Sequence, residues 1–257
     1  MKFFKKKKAN NKVFAQIFGT HSVIAALQNP KRIHRKLYIV KNQDKILTDN
    51  IKKIVPEIIK LNNQEMFKIF GNEKNHQGIV LETSDLQQPS LDKLIEESKK
   101  KKSDVIIILD QVTDPNNIGS IMRSCALFNC KSIIVSNYNS PEITSSMVKA
   151  ASGALELVNY ISVVNLSRTM IKFKKNDYWI YGFENNEKNN QNNKLEFPKK
   201  IVLVFGSEGK GLRNLIKKEC DEIISIPINA QMKYKIDSLN VSNACTIALY
   251  EHFKKNN

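Results

Sequence analysis

Val105–Leu109 and Ile201–Phe205 are each five consecutive apolar residues, and shorter apolar runs recur in "SIIVS", "YWIYGF" and "EIISIP". A strand with one face in water alternates apolar and polar residues; a strand apolar at every position must be covered on both faces. The segments between these runs have helical spacing. The second part of the chain therefore predicts an α/β fold with a mostly parallel sheet between layers of helices. "ENNEKNNQNNKLEFPKK", Glu184 to Lys200, interrupts this pattern with an Asn/Lys-rich stretch that reads as an exposed loop.

A different alternation precedes it. "HSVIAALQN" has helical spacing, "KLYIV" is a short strand, "ILTDNIKKIVPEIIKL" is helical with a break at Pro56, and "GIVLE" is a strand. These elements predict a small α/β domain over residues 13–84, after a basic tail at 1–12. The polar stretch around Pro89 and Lys99–Lys102 predicts a linker at 85–103 with a solvated helix begun at Ser90, leaving 104–257 as the second domain.

Lys and Arg number 41 against 25 Asp and Glu, a net charge of +16 that favours a polyanionic partner such as nucleic acid or an anionic membrane surface. Lys5–Lys8 reads as a solvated tail or an RNA-touching arm. Lys31, Arg32, His34, Arg35 and Lys36 cluster beside Tyr38, the composition either of a phosphate-contacting patch with a stacking ring or of an ordinary solvated helix end and strand start. His21 and His76 adjoin turn glycines and read as structural or RNA-contacting. Cys125, Cys130, Cys220 and Cys245 form no CxxC pair, so the expectation is reduced thiols and no metal. With no apolar leader and no run of eighteen apolar residues, a cytoplasmic protein with no membrane span is expected.

Three segments place turn residues and polar side chains just beyond a buried strand, where open α/β sheets bind ligands. In "LDQVTDPNNIGSIMRSCALFN", Asp114-Pro115 marks a turn, Asn116 or Asn117 can cap a helix, and Arg123 projects away from the apolar face of Ile118, Ile121 and Cys125. "IVLVFGSEGKGLRN" has glycines spaced GxxGxG, but Leu212 stands where a Walker loop needs lysine and the GxGxxG spacing is absent. Glu208 between the glycines would repel a phosphate, so a ligand with little net negative charge fits better. In "IISIPINAQMKYKIDSLNVSNACTIALYEHF", a strand ends near Pro227 and Ser238 or Asn240 can cap the last helix.

Taken in order, "DPNNIGSIMR", "VFGSEGKGL" and "IPI…DSLNVSNACTIALYE" resemble the three motifs of the SpoU family of RNA ribose 2′-O-methyltransferases. "VKAASGALELV" extends the match, and "FGTHSVIAALQN" with "HQGIVLET" resembles the ends of the small RNA-binding domain of the subgroup that methylates guanosine in 23S ribosomal RNA. The resemblance implies a deep trefoil knot at the C-terminal end of the sheet, a homodimer, and S-adenosylmethionine as methyl donor. Matched by position, Gly206, Ile226 and Leu239 fall on cofactor-binding positions, and Asn117, Arg123, Glu208, Ser238 and Asn240 on active-site positions. A transfer RNA enzyme and an inactive RNA-binding relative are the competing expectations.

This sequence departs from the family in the nine residues Asn229–Asp237 before Ser-Leu-Asn, where about five are usual, and in Ile228 where methionine is usual. Both changes bear on the cofactor loop. None of the motifs contains a histidine, so Arg123 is expected to stabilise the developing alkoxide electrostatically. Glu208 is expected to orient Arg123, the substrate or the cofactor, with Asn117, Ser238 and Asn240 fixing loop and ribose geometry.

Overall fold

The computed structural model describes residues 7–9, 12–71, 76–138, 140–185, 197–228 and 238–256. Three expectations therefore lie wholly or mostly outside the described residues: the loop 229–237, most of the Asn/Lys-rich stretch, 186–196, and most of the basic tail, of which Lys7–Ala9 is a correction because it forms a strand. Contacts divide the chain into two compact units, one reaching Gln87 and including Ile143–Leu157, the other Gln88–Glu142 with Val158–Asn257.

The first unit holds a five-stranded mixed sheet ordered β1-β2-β5-β3-β4, with β1 Lys7–Ala9, β2 Lys12–Phe18, β3 His34–Val40, β4 Glu57–Leu61 and β5 Ile79–Ser84. β3 pairs with β4 in parallel and with β5 antiparallel. The break expected at Pro56 is present, but only the first part is a helix, Asp49–Ile54; the part after the proline, expected to be helical, is strand β4. Proline ends the helix, and Ile58 and Ile59, β-branched, fit a pleated ladder better than another helical turn. β2 and the helix Asn63–Phe70 escaped the periodicity reading. That helix is announced by a capping box, Asn62 with Glu65.

Arg32 and His34 are corrections to the basic-patch reading. The Arg32 guanidinium is buried; its Nη2 lies 2.7 Å from Glu156 Oε1 and its Nη1 donates to the Ser84 carbonyl at 2.6 Å. His34 is buried, with Nδ1 3.1 Å from Thr83 Oγ1, and burial holds its pKa below the usual imidazole value. Lys36 pairs with Glu57, and Tyr38 packs edge-on against Phe70, while Lys31 stays exposed. The Arg32–Glu156 pair explains why Ile143–Leu157 groups with this unit rather than with 104–257. Asn29 donates to Glu156 at 2.7 Å and Ser22 to the Val148 carbonyl at 3.2 Å. At Gly153, φ is 92° and a Cβ would lie 2.8 Å from Ala25 Cβ, so the contact demands glycine.

The second unit is a six-stranded sheet ordered β11-β9-β10-β6-β7-β8 in which every pairing is parallel. Its strands are β6 Asp104–Asp110, β7 Ser132–Ser136, β8 Asn159–Val163, β9 Trp179–Phe183, β10 Lys200–Gly206 and β11 Glu222–Ile224. β6 and β7 are buried at every position, as uninterrupted apolar runs require. Ile106, Ile108, Val202 and Val204 pack with Met170 and Phe173 on one side of the sheet. The C-terminal helix Val241–Asn256 packs on β10 and against the helix Pro115–Leu127.

The stretch expected to be a solvated linker belongs to this core. Ser90 caps the helix Leu91–Lys99, whose Leu94 and Ile95 are buried against the sheet. The helix is amphipathic, and its short apolar stripe is masked in composition by the surrounding lysines. Cys125, Cys130 and Cys245 are free and buried, and burial pushes the Cys125 and Cys245 thiols up. Among the described residues no helix is long and apolar enough to cross a membrane, and no cluster of His, Cys, Asp and Glu is set to hold a metal.

Replacing Glu156 by alanine strands the Arg32 charge in a buried site. A loss of about 3–5 kcal/mol in unfolding free energy is expected from chemical denaturation, whereas Lys31→Ala leaves stability within about 0.5 kcal/mol.

Candidate active site

Because β6, β9 and β10 run in parallel and in register, their C-terminal ends emerge along one edge. Gly206 faces Asp110, and Phe205 faces both Leu109 and Phe183. Each strand hands its following loop to that edge.

After β6, the chain turns through Gln111 at φ 61° and enters the helix Pro115–Leu127. Its cap is Asp114, which accepts from the Asn116 N–H at 3.0 Å, rather than Asn116 or Asn117. Pro115 occupies the first turn, where its missing N–H is harmless. Freed from capping, Asn117 directs its side chain elsewhere, and Nδ2 donates to Glu208 Oε1 at 3.1 Å.

After β10, the glycine loop folds back on itself. The Gly211 N–H donates to the Ser207 carbonyl at 2.9 Å, and the two residues form an isolated bridge. A Cβ on Gly206 would lie 2.2 Å from the Gly211 carbonyl carbon and 2.5 Å from the Leu212 nitrogen. Gly209 and Gly211 have φ of 82° and 65°, the left-handed region that favours glycine. The far end of the loop is held by Asp110, which is fully buried and takes the Arg213 N–H at 3.0 Å and its Nε at 2.8 Å. Neither Asp110 nor Arg213 stood out in the sequence, because each looks ordinary until the parallel register places one loop's end over the other strand's terminus.

The last helix begins after Asn240. Asn240 Oδ1 accepts from the Ser242 N–H at 2.9 Å, as expected of a cap, while its Nδ2 donates to Glu208 Oε1 at 2.8 Å and to Asn117 Oδ1 at 2.9 Å. The Val241 N–H also points at Glu208 Oε1, at 3.4 Å. One carboxylate oxygen thus gathers donors from the first and third motifs. Of the partners expected for Glu208, Arg123 is not in contact with it among the described residues; Oε1 instead takes the two asparagine amides and faces the start of the last helix. Arg123 is exposed on its helix and, among the described residues, has no ion pair.

Between these loops lies a cavity of about 380 Å³, within the usual range for small-molecule sites. Gly206, Glu208, Ile226, Ser238 and Leu239 line it, as do Phe183 at the end of β9 and Glu184 and Asn185 just after it. The β9 contribution obeys the same strand-end rule as the others but carried no motif. Asn117 and Asn240 join the wall through Glu208; Arg123 is not part of the lining. Ser207 Oγ is buried beside the cavity without a hydrogen-bond partner among the described residues. Apolar walls at Phe205, Ile226 and Leu239 suit a flat heterocycle, and Glu208 adds a carboxylate, whereas Glu184 is paired with Lys217.

The description "SpoU rRNA Methylase family" matches residues 104–250, and "RNA 2′-O ribose methyltransferase substrate binding" matches residues 16–89. The chain belongs to the SpoU rRNA methylase family. A 23S rRNA (guanosine-2′-O-)-methyltransferase of Coxiella burnetii is 35% identical over 241 residues, covering 91% of this chain and 93% of that protein. An uncharacterised tRNA/rRNA methyltransferase of Synechocystis is 34% identical across 93% of this chain, which spans 62% of that longer protein. The SpoU methyltransferase AviRb of Streptomyces viridochromogenes, solved with the cofactor AdoMet, shares the fold at a TM-score of 0.70 and 20% identity, covering 94% of this chain and 90% of that one. The small α/β unit followed by the parallel-sheet unit is thus the family architecture the motifs led us to expect.

The two loop glycines tested separately distinguish packing from backbone strain. Gly206→Ala forces the loop off its own backbone and is expected to lose about 2–3 kcal/mol of stability, with faster proteolysis near Lys210. Gly209→Ala meets open space and is expected to lose only about 1 kcal/mol, through φ alone. Thermal denaturation of both variants measures the ranking.

Proposed function

We propose that this chain transfers a methyl group from S-adenosylmethionine to a ribose 2′-hydroxyl of RNA, and that its substrate is a guanosine of 23S ribosomal RNA in the cytoplasm. The observation that carries the reaction class is the junction at Glu208, where side chains of the first and third motifs meet on the glycine loop of the second. The choice of ribosomal over transfer RNA rests on the name of the Coxiella relative and on the substrate-binding match over the first unit.

S-adenosylmethionine supplies an electrophilic methyl group on a sulfonium. Gly206, Ile226 and Leu239 would hold it in the cavity, Gly206 through its backbone because no side chain is tolerated there. The carboxylate of Glu208 favours a cation in that space, whereas Glu184 is already paired with Lys217. Glu208 keeps Asn117 and Asn240 in fixed rotamers, so the two amides and Ser238 form a rigid polar wall against the ribose. The 2′-oxygen gains negative charge as it attacks. Arg123, free of a carboxylate partner, is available to an alkoxide and an adjacent phosphate. A guanidinium is a poor proton acceptor, so its role is electrostatic stabilisation rather than base catalysis.

Arg123 sits one helical turn before Leu127, which is 66% exposed, and Tyr250 of the neighbouring helix is 47% exposed. Apolar exposure beside a catalytic cation supports a homodimer with its active site near the subunit interface. The trefoil knot implied by the resemblance belongs to the same proposal.

Incubation with labelled S-adenosylmethionine and undermethylated ribosomal RNA, followed by alkaline hydrolysis, tests the reaction. A 2′-O-methyl group removes the internal nucleophile of alkaline cleavage, so a resistant linkage at one guanosine is expected; label found only on a base refutes the ribose assignment. Arg123→Ala is expected to lower turnover by at least a hundredfold, as loss of a transition-state charge partner does, with RNA affinity changed no more than about threefold. Full activity in that variant removes Arg123 from catalysis.

A further inference from the structure

The opposite edge of the second unit's sheet, where the parallel strands begin, carries a second cleft of about 550 Å³. Trp179 starts β9 and Lys200 starts β10, so the cleft is separated from the cofactor-side cavity by the length of a seven-residue strand, roughly 20 Å. Trp179 is the chain's only tryptophan and is 48% exposed.

Four lysines line the cleft with that indole: Lys102, Lys174, Lys199 and Lys200. Against them the cleft presents two carboxylates, Asp177 and Asp221. Asp221 is already engaged, by Lys174 at 2.8 Å and by the Ile180 N–H at 2.8 Å. Lys200 stands 5.8 Å from the centroid of the Tyr178 ring. Lys102 and Lys199 have no ion pair among the described residues. With Asp221 engaged, Lys102 and Lys199 outnumber the remaining carboxylate, Asp177, beside a half-exposed indole. Unpaired ammonium groups around an open aromatic face are the elements of a single-stranded nucleic acid site: the ring stacks on a base and the lysines track the phosphates.

We propose that this cleft is a second RNA-binding site, remote from the methyl-transfer centre, which stacks one base of a single-stranded segment on Trp179 and contacts its flanking phosphates through Lys102 and Lys199. The site rests on RNA being the substrate class, and extends it: the enzyme grips its RNA at both ends of the catalytic sheet. A segment held there tethers the substrate while the target ribose samples the cavity, raising its effective concentration.

Because Trp179 is the only tryptophan, its emission reports the cleft directly. Titrating the full chain with an unstructured oligoribonucleotide of about ten uridines is expected to quench that emission saturably, in parallel with the anisotropy of a labelled copy of the RNA. Lys102→Ala combined with Lys199→Ala is expected to weaken the quenching curve about tenfold and to reduce the dependence of log affinity on log salt by about 1.4, for two phosphates on a single strand. Trp179→Ala is expected to weaken binding about tenfold by anisotropy, with Trp179→Phe recovering most of it, as stacking demands. S-adenosylmethionine affinity, measured by calorimetry, stays unchanged in all three variants. Emission that is unchanged across the titration, or quenching equally strong in the double lysine variant, overturns the proposal. Failure of the 2′-O-methylation reading has a different signature, since quenching would persist with no methyl transfer.

Discussion

The parallel ladder between β6 and β10 pairs Asp104 with Lys200 at one end and Asp110 with Gly206 at the other. Seven paired residues in one direction leave both strands ending on the same edge, and the apolar cover on each face holds the ladder dry. From that constraint follow the Asp110–Arg213 clamp, the closed glycine loop and the meeting of Asn117 with Glu208. An antiparallel arrangement would send the first and second motifs to opposite ends of the sheet.

Glu208 shows how the site uses a charge for construction. Its Oε1 accepts two side-chain amides and faces a backbone N–H at a helix start, where a negative charge is favoured by the helix dipole. Arg123 is left outside that network and exposed. The polar groups at this junction thus satisfy one another, and the Arg123 guanidinium is not spent on them.

Charge alone was a poor guide to which basic residues are free. Arg32 lies in the most basic-looking stretch of the first unit, yet it is buried on Glu156, a residue more than a hundred positions away. Lys99–Lys102 looked like linker, yet the helix that leads into it carries Leu94 and Ile95 into the core. In both places the deciding partner is distant in sequence, so local composition carried no trace of it. Trp179 is a similar case: as part of "YWIYGF" it reads as another strand residue, and only its place at the first position of β9 exposes it.

The sequence by itself determined the fully buried strands, the helical spacing between them and the three motifs, because these depend on residue type at short range: apolar runs demand two-sided cover, and glycines allow the close backbone approach at 206 and the positive φ at 209 and 211. It also determined that Pro56 stops a helix, though not that a strand follows. Only the tertiary structure decided that Asp114 takes the cap and so releases Asn117, that Glu208 binds asparagines rather than Arg123, and that Ile143–Leu157 packs with the first unit. Those outcomes are competitions among polar groups for a limited set of partners, and the winner depends on distances that exist only once the strands are in register.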